Sequence, residues 1–424
     1  MSDIETILEN LSPKQEAILQ DFKGRVQDVL RPGDDNFFLL RWLKARNFDI
    51  GKSEQMLRKS MEWRRNYGTD DILKWDPPEV LKKYWPGGIF GFDRQGHPIL
   101  WQLSNNFDAR GMLKSVKRSD VVKYHIWRME KLNSLCREQS TKLGKRIACS
   151  VHVSDLSGFS LKMVFTPGIP DMMKEVFALI EANYPEDLYA SYVINVPSTF
   201  VIFFNIIRPF LSESTKKKVH MCGRNWRERL ITEVANPEQI PTYWGGTAKY
   251  PDELCTDYIN PCVKIPAEYY IQDKVTINKD VMSKVTVPRG GSHQLSYDIT
   301  HPGTVIRWVF ETDHYDIAYG IFFKLETSDT NKTEGKKAKG NVNKNDGLKE
   351  IKPLSRVNSQ MVPEDGNVTC SKPGTYIFQF DNTYSWVHSK NVYYELEVLA
   401  PVSDPVVFRD IPESEREILE TTYL

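Results

Sequence analysis

The sequence predicts two architectures in tandem: an α/β domain under an N-terminal helical cap, then an all-β sandwich. Three patterns point there. Residues 1–75 are charged and carry apolar stripes at helical spacing. Residues 76–247 alternate strand and helix signals, the mark of a mixed or parallel sheet flanked by helices. Residues 251–400 switch to period-two alternation between turn signals. A tail, residues 401–424, closes the chain with the acidic run ESEREILE.

In the cap, Asp34 or Asp35 is placed to cap FFLLRWLKAR, a helix expected to bury Phe38, Trp42 and Ala45 and to send Arg41, Lys44 and Arg46 to solvent. Asp49 caps the next helix, where Met56, Ser60, Trp63 and Tyr67 form a stripe with Arg64 and Arg65 beside its end. In the α/β region GFDRQGHP, residues 91–98, is a turn before the strand ILWQL, and residues 119–139 read as a long helix. Ile147 to Asp155 is the clearest strand. It puts Cys149, Val151 and Val153 on one face and Ser150, His152 and Ser154 on the other, and a polar face on an interior strand meets water or lines a pocket.

The most telling stretch runs from Glu181 to Leu211: a turn, the strand YVINVP, and the apolar segment STFVIFFNIIRPFL. Ser198 is the expected N-cap, and Pro209 ends or kinks the helix by removing a donor. The helix is greasy on nearly every side, as where a helix is buried or meets lipid, yet it is far short of the roughly 20 residues that span a bilayer. Phe200, Phe203, Phe204, Ile207, Phe210 and Leu211 are the residues expected to form a door onto an apolar cavity.

In the β region Leu295, Tyr297 and Ile299 alternate, as do Ile306, Trp308 and Phe310, then Tyr319, Ile321, Phe323 and Leu325, and Tyr376, Phe378 and Phe380. Trp308, Phe310, Tyr376 and Phe380 are expected in the core. The lysine-rich segment 328–350 reads as a disordered loop between two strands.

Composition excludes several classes. Lys plus Arg number 56 and Asp plus Glu 56, so no net field recruits nucleic acid or an anionic membrane. The N-terminus lacks the basic and apolar regions of a secretory signal, which places the chain in the cytosol. Six cysteines fit no zinc or thioredoxin spacing and are expected as reduced thiols, and Asn331 and Asn367 in N-x-T triplets are expected to stay unmodified. Gly51, Lys52 and Ser53 end like a phosphate loop, but Arg46 stands where its first glycine belongs. GGIFGFDRQG fails the dinucleotide spacing, no G-x-S-x-G elbow occurs, and the eight histidines form no cluster. His152 and His293 read as buried polar residues rather than bases. With no catalytic constellation, the sequence reads as a non-enzyme needing no cofactor and no metal.

The order and spacing of several segments resemble the CRAL-TRIO lipid-binding family, in the branch with a C-terminal GOLD (Golgi dynamics) domain. They are FFLLRWLKARNFDIGKSEQMLRKSMEWR, DRQGHPIL, SDLSG, ANYPE, INVPSTF, IRPFLSE and YWGG, then VPRGGSHQLSYDI, RWVFETD, YGIFFKL and the run from Val362 to Val392. The resemblance implies a deep apolar pocket closed by a mobile helix, Phe200 to Leu211, that shields a hydrophobic lipid and moves or presents it between membranes, with transient peripheral contact. In phosphatidylinositol-transfer members the headgroup is held by residues matching Arg64 and Arg65 of WRRNYGTD, Ser150 of CSVHVSDLSG, Glu186 of NYPED and Lys218 of SESTKKKVH. His152 stands on the strand face of Ser150, where that group often has a hydroxyl. Arginine and lysine suit phosphate, and serine and glutamate suit ring hydroxyls. The GOLD-bearing branch also implies cargo such as tocopherol or squalene, and a protein partner through the β-sandwich.

Overall fold

The computed structural model describes residues 10–105, 107–160, 166, 169–197, 200–271, 279, 282–325 and 347–401. The chain divides into two compact units, Met1–Val275 and Thr276–Leu424.

The first unit opens with three helices, α1 (Pro13–Val26), α2 (Asn36–Ala45) and α3 (Ile50–Tyr67). Each begins on a side-chain cap: Ser12 in a capping box with Gln15, Asp35 accepting from the Phe38 amide, and Asp49 accepting from the Lys52 amide. Helix α3 ends on Gly68 at φ +66, a conformation in which a side chain is strained. Leu19, Phe22, Leu39, Trp42, Leu43, Met56 and Leu57 make one core for the bundle. The buried face of α2 is broader than the sequence suggests, because Phe37, Leu39, Leu40 and Leu43 are buried while Phe38 and Ala45 are half-buried. Arg41 and Lys44 are half-buried rather than solvent-facing. They turn inward to ion-pair with Asp187 and Glu186.

A six-stranded sheet follows, with strand order β5-β4-β3-β2-β1-β6: β1 (Gly87–Phe92), β2 (Pro98–Leu103), β3 (Ser150–Asp155), β4 (Leu188–Ile194), β5 (Val219–Met221) and β6 (Ile259–Asn260). Strands β2 to β5 run parallel, and β1 is antiparallel to both β2 and β6. Between them come α4 (Glu79–Tyr84), α5 (Ala109–Ser115), α6 (Arg118–Leu143), α7 (Ile169–Asn183), α8 (Phe200–Ile207), α9 (Glu213–Lys217) and α10 (Trp226–Arg229). The 147–155 expectation holds from Ser150 onward, and the long helix extends beyond 119–139 at both ends.

One sheet face is dry. Ile99, Trp101, Val151, Val153 and Ile194 pack on Trp226, Leu230, Val234 and Trp244, and the Trp101 and Trp244 rings stack at 4.2 Å. The SDLSG and YWGG motifs meet here. Buried Asp155 accepts from Trp244 Nε1 at 2.9 Å, Asn195 Nδ2 at 2.8 Å and the Ser157 amide at 2.9 Å. At Gly246 a Cβ would stand 2.0 Å from the Ile240 carbonyl oxygen, so that chain crossing requires glycine. The opposite face meets α6 through Leu100, Val122, Ile126, Met129 and Leu132, and farther along the strands it opens into a cavity.

The second unit holds two four-stranded antiparallel sheets, β11-β10-β13-β8 and β12-β9-β14-β7. Its strands are β7 (Ser283–Val287), β8 (Ser292–Ile299), β9 (Val305–Thr312), β10 (Ile317–Lys324), β11 (Leu348–Val357), β12 (Glu364–Thr369), β13 (Gly374–Asp381) and β14 (Lys390–Leu399). They enclose Trp308, Phe310, Tyr319, Tyr376, Phe378 and Phe380, the residues that the alternation assigns inward. Leu348 to Glu350 belong to β11 rather than to the lysine-rich loop, and residues 328–346 of that loop, with Asn331, lie outside the described residues. So does the tail beyond Pro401. His293 is half-buried on β8. All six cysteines are free thiols.

Candidate functional site

The first unit contains a cavity of about 330 Å³ between the polar face of the sheet and helices α6, α7 and α8. Strand alternation makes its floor. Gln102 from β2, Ser150, His152 and Ser154 from β3, and Ser191 and Val193 from β4 face inward, each on the side opposite the dry core. The polar face read on Ile147 to Asp155 therefore lines a pocket.

The walls are apolar. Helix α7 contributes Met172, Met173, Val176, Phe177 and Ile180, and α8 with the turn after it contributes Phe200, Phe204, Ile207 and Leu211. Phe200 packs edge-on against Phe159 at 5.7 Å and tilts against Phe204 at 6.0 Å. The two methionines add unbranched, adaptable surface to that wall. Helix α8 is shorter than the sequence suggests. It ends at Ile207, and Arg208–Phe210 tighten into a 3-10 turn around Pro209, whose ring removes a donor. Phe204 lines the cavity, whereas Phe210 is 36% exposed and Ile202 46%. The Phe203 side chain and Ser198, the expected N-cap, lie outside the described residues.

Four of the six candidate headgroup residues come together at this cavity. Ser150 Oγ and His152 Nε2 share a hydrogen bond of 3.1 Å. Glu186, held at φ +61 in the turn before β4, accepts from Lys218 Nζ at 3.0 Å and pairs with Lys44 at 3.1 Å. Lys218 also donates to the Leu188 carbonyl at 2.6 Å. Burial would raise the Glu186 carboxyl, but Lys218, Ser214 and Lys44 outweigh it and hold the group below its usual value. It stays ionised, an acceptor fixed between two cations.

Arg64 and Arg65 are not part of this lining. Arg64 is buried in another network, donating to Glu130 at 2.8 Å and Asp70 at 2.6 Å, while Tyr184 donates to the same Glu130 oxygen at 2.8 Å. Arg65 is exposed and makes no ion pair among the described residues. Sequence adjacency hid the difference, because neighbouring positions on a helix point about 100° apart.

Among the cavity residues that escaped the sequence reading are His125 and Arg128 of α6. A signal was present. Val121, His125, Arg128 and Leu132 follow spacings of four, three and four, so both polar residues fall on a stripe whose ends are buried and apolar. His125 sets its ring edge-on to Trp85 at 4.9 Å. Burial lowers His125 to about 3 and, with Arg128 adding to the effect, His152 to about 4, so both imidazoles are neutral near pH 7. Both are half-buried and line the cavity.

Residues 82–246 match the CRAL/TRIO domain family. Protein ctg-1 of Caenorhabditis elegans is 26% identical over 385 residues, spanning 91% of this chain and 96% of its own length. Protein real-time of Aedes aegypti is 28% identical over 334 residues, 75% of this chain, and the chain spans half the length of that relative. The crystal structure of Sfh5 aligns with 62% of this chain and 97% of its own at 22% identity and a TM-score of 0.46.

Proposed function

We propose that this chain, whose residues 82–246 match the CRAL/TRIO domain family, is a cytosolic carrier that loads phosphatidylinositol or another phospholipid and moves or presents it between membranes. The supporting observation is the cavity's polarity: one polar floor, apolar walls, and a helix α8 that, with the turn after it, also exposes Ile202 and Phe210 beside the polar Asn205 and Arg208. Burying acyl chains contributes about 0.8 kcal/mol per CH₂, so the walls need no covalent capture. The polar head rests on Ser150, His152, Glu186 and Lys218, with Lys218 for phosphate and Glu186 and Ser150 for hydroxyls. A headgroup reaching Arg64 would displace Glu130 and Asp70. Ile202 and Phe210 lie where transient membrane contact is made. The β-sandwich acts as a GOLD module that recruits a protein partner.

A second reading, a carrier of a neutral isoprenoid such as tocopherol or squalene, is favoured by Arg64 being engaged elsewhere. Mass spectrometry of lipids extracted after exposure to mixed-membrane liposomes separates the two. Near-stoichiometric phospholipid is expected. Lys218→Ala should lower phosphatidylinositol transfer by roughly tenfold or more, the worth of a charge-assisted bond, and leave tocopherol uptake unchanged. A neutral isoprenoid in place of phospholipid would give the cavity to the second reading, and an empty protein would overturn both.

A further inference from the structure

Arg128 is a buried cation without a counter-charge. Its side chain lines the cavity at 6% exposure, Nη2 has no hydrogen-bond partner, and no carboxylate meets it among the described residues. Its nearest compensation is the Tyr124 ring, 5.9 Å from Cζ. The carboxylates of the same cavity are committed. Glu186 is held by Lys218 and Lys44, Asp187 by Arg41 and Asn133, and Glu181 accepts from Thr215 Oγ1 at 2.6 Å. Beside Arg128 the His125 Nε2 is also buried with no partner. A guanidinium stays charged at any ordinary pH, and enclosing it unpaired is strongly unfavourable. Two polar groups without a protein partner thus line the same cavity.

We infer that Arg128 and His125 form an anion seat inside the cavity, and that the preferred ligand is an amphiphile whose ionised acid group, a carboxylate or a phosphate, is held there while its chain lies against α7 and α8. This rests on the carrier reading above and narrows its ligand class. The guanidinium offers paired donors to two acid oxygens, and the neutral imidazole can add a third. A neutral lipid leaves both groups unmet and is disfavoured by what it fails to satisfy.

The test uses the full chain, delipidated and then exposed to phosphatidylcholine vesicles carrying matched pairs: oleate with oleyl alcohol, and phosphatidate with diacylglycerol. A parallel sample receives inorganic phosphate alone. Bound lipids are quantified for wild type, Arg128→Met and Arg128→Lys. Wild type should load the acidic member of at least one pair by roughly tenfold or more over its neutral partner. Arg128→Met should bring the ratio near one while total loading persists, and Arg128→Lys should keep a reduced preference. The lipid-free Met variant should melt higher than wild type, since an apolar side chain of similar length replaces an unpaired charge. Unchanged selectivity in Arg128→Met overturns the seat, as does wild-type indifference to charge. Thermal protection by phosphate alone, without lipid selectivity, also overturns it in favour of a free-anion site. Failure of every variant to load any lipid overturns the carrier reading, an outcome distinct from loading without selectivity.

Discussion

His152 and His125 carry a stability consequence separate from ligand choice. Each is depressed in the folded chain, to about 4 and about 3, below the ordinary histidine value near 6.5. The unfolded chain therefore binds more protons between those limits, so their contribution is fully present above about pH 6.5 and is lost as pH falls below it. Each histidine should steepen the loss by at most about 1.4 kcal/mol per pH unit. Denaturant unfolding from pH 7 to pH 4.5 should show that slope, and His125→Phe should flatten it; an unaltered slope would exclude burial of that imidazole. Residue roles were only partly legible. Ser150 and His152 were readable because a strand has two faces. Arg41 was misread as solvent-facing because its partner, Asp187, lies 146 positions away, where no local periodicity reports it.

Helix α8 shows what an element's composition reveals and conceals. The apolar character of residues 200–211 was plain in the sequence, and so was Pro209 as a breaker. The division into a cavity side (Phe200, Phe204, Ile207) and an outer side (Ile202, Phe210) was not, because the outer positions Ile202 and Phe210 are as apolar as the inner ones. If the outer side contacts bilayer, Ile202→Asp with Phe210→Asp should weaken vesicle binding and slow transfer severalfold. Both positions are exposed, so stability should stay within about 0.5 kcal/mol per site. Vesicle co-sedimentation beside a melting curve checks this; undiminished sedimentation would remove α8 from the membrane contact.

For the whole molecule, the change to period two near residue 250 announced a second architecture, but composition did not show where the first one stops. Residues as far as Ile271 remain tied to the first unit: Ile259 pairs through β6, the Ile265 amide donates to Asp108, and the Ile271 amide donates to the Lys114 carbonyl. Such pairings reach back more than 150 positions and leave no local mark. Each unit has its own core, so residues 1–275 alone should retain at least half of the lipid loading of the full chain, and calorimetry of the full chain should show two transitions. Loss of loading in the shortened chain would make the β-sandwich a part of the carrier itself.

The cavity's polarity also sets an order of events. A lipid with its acid group at Arg128 and its tails along α7 and α8 would have its most water-loving part against a residue only 6% exposed. Were α8 the way in, such a lipid would have to arrive head first and leave tail first. The slow step of exchange is then dehydration of the head, and chain length governs how firmly the lipid stays rather than how fast it comes.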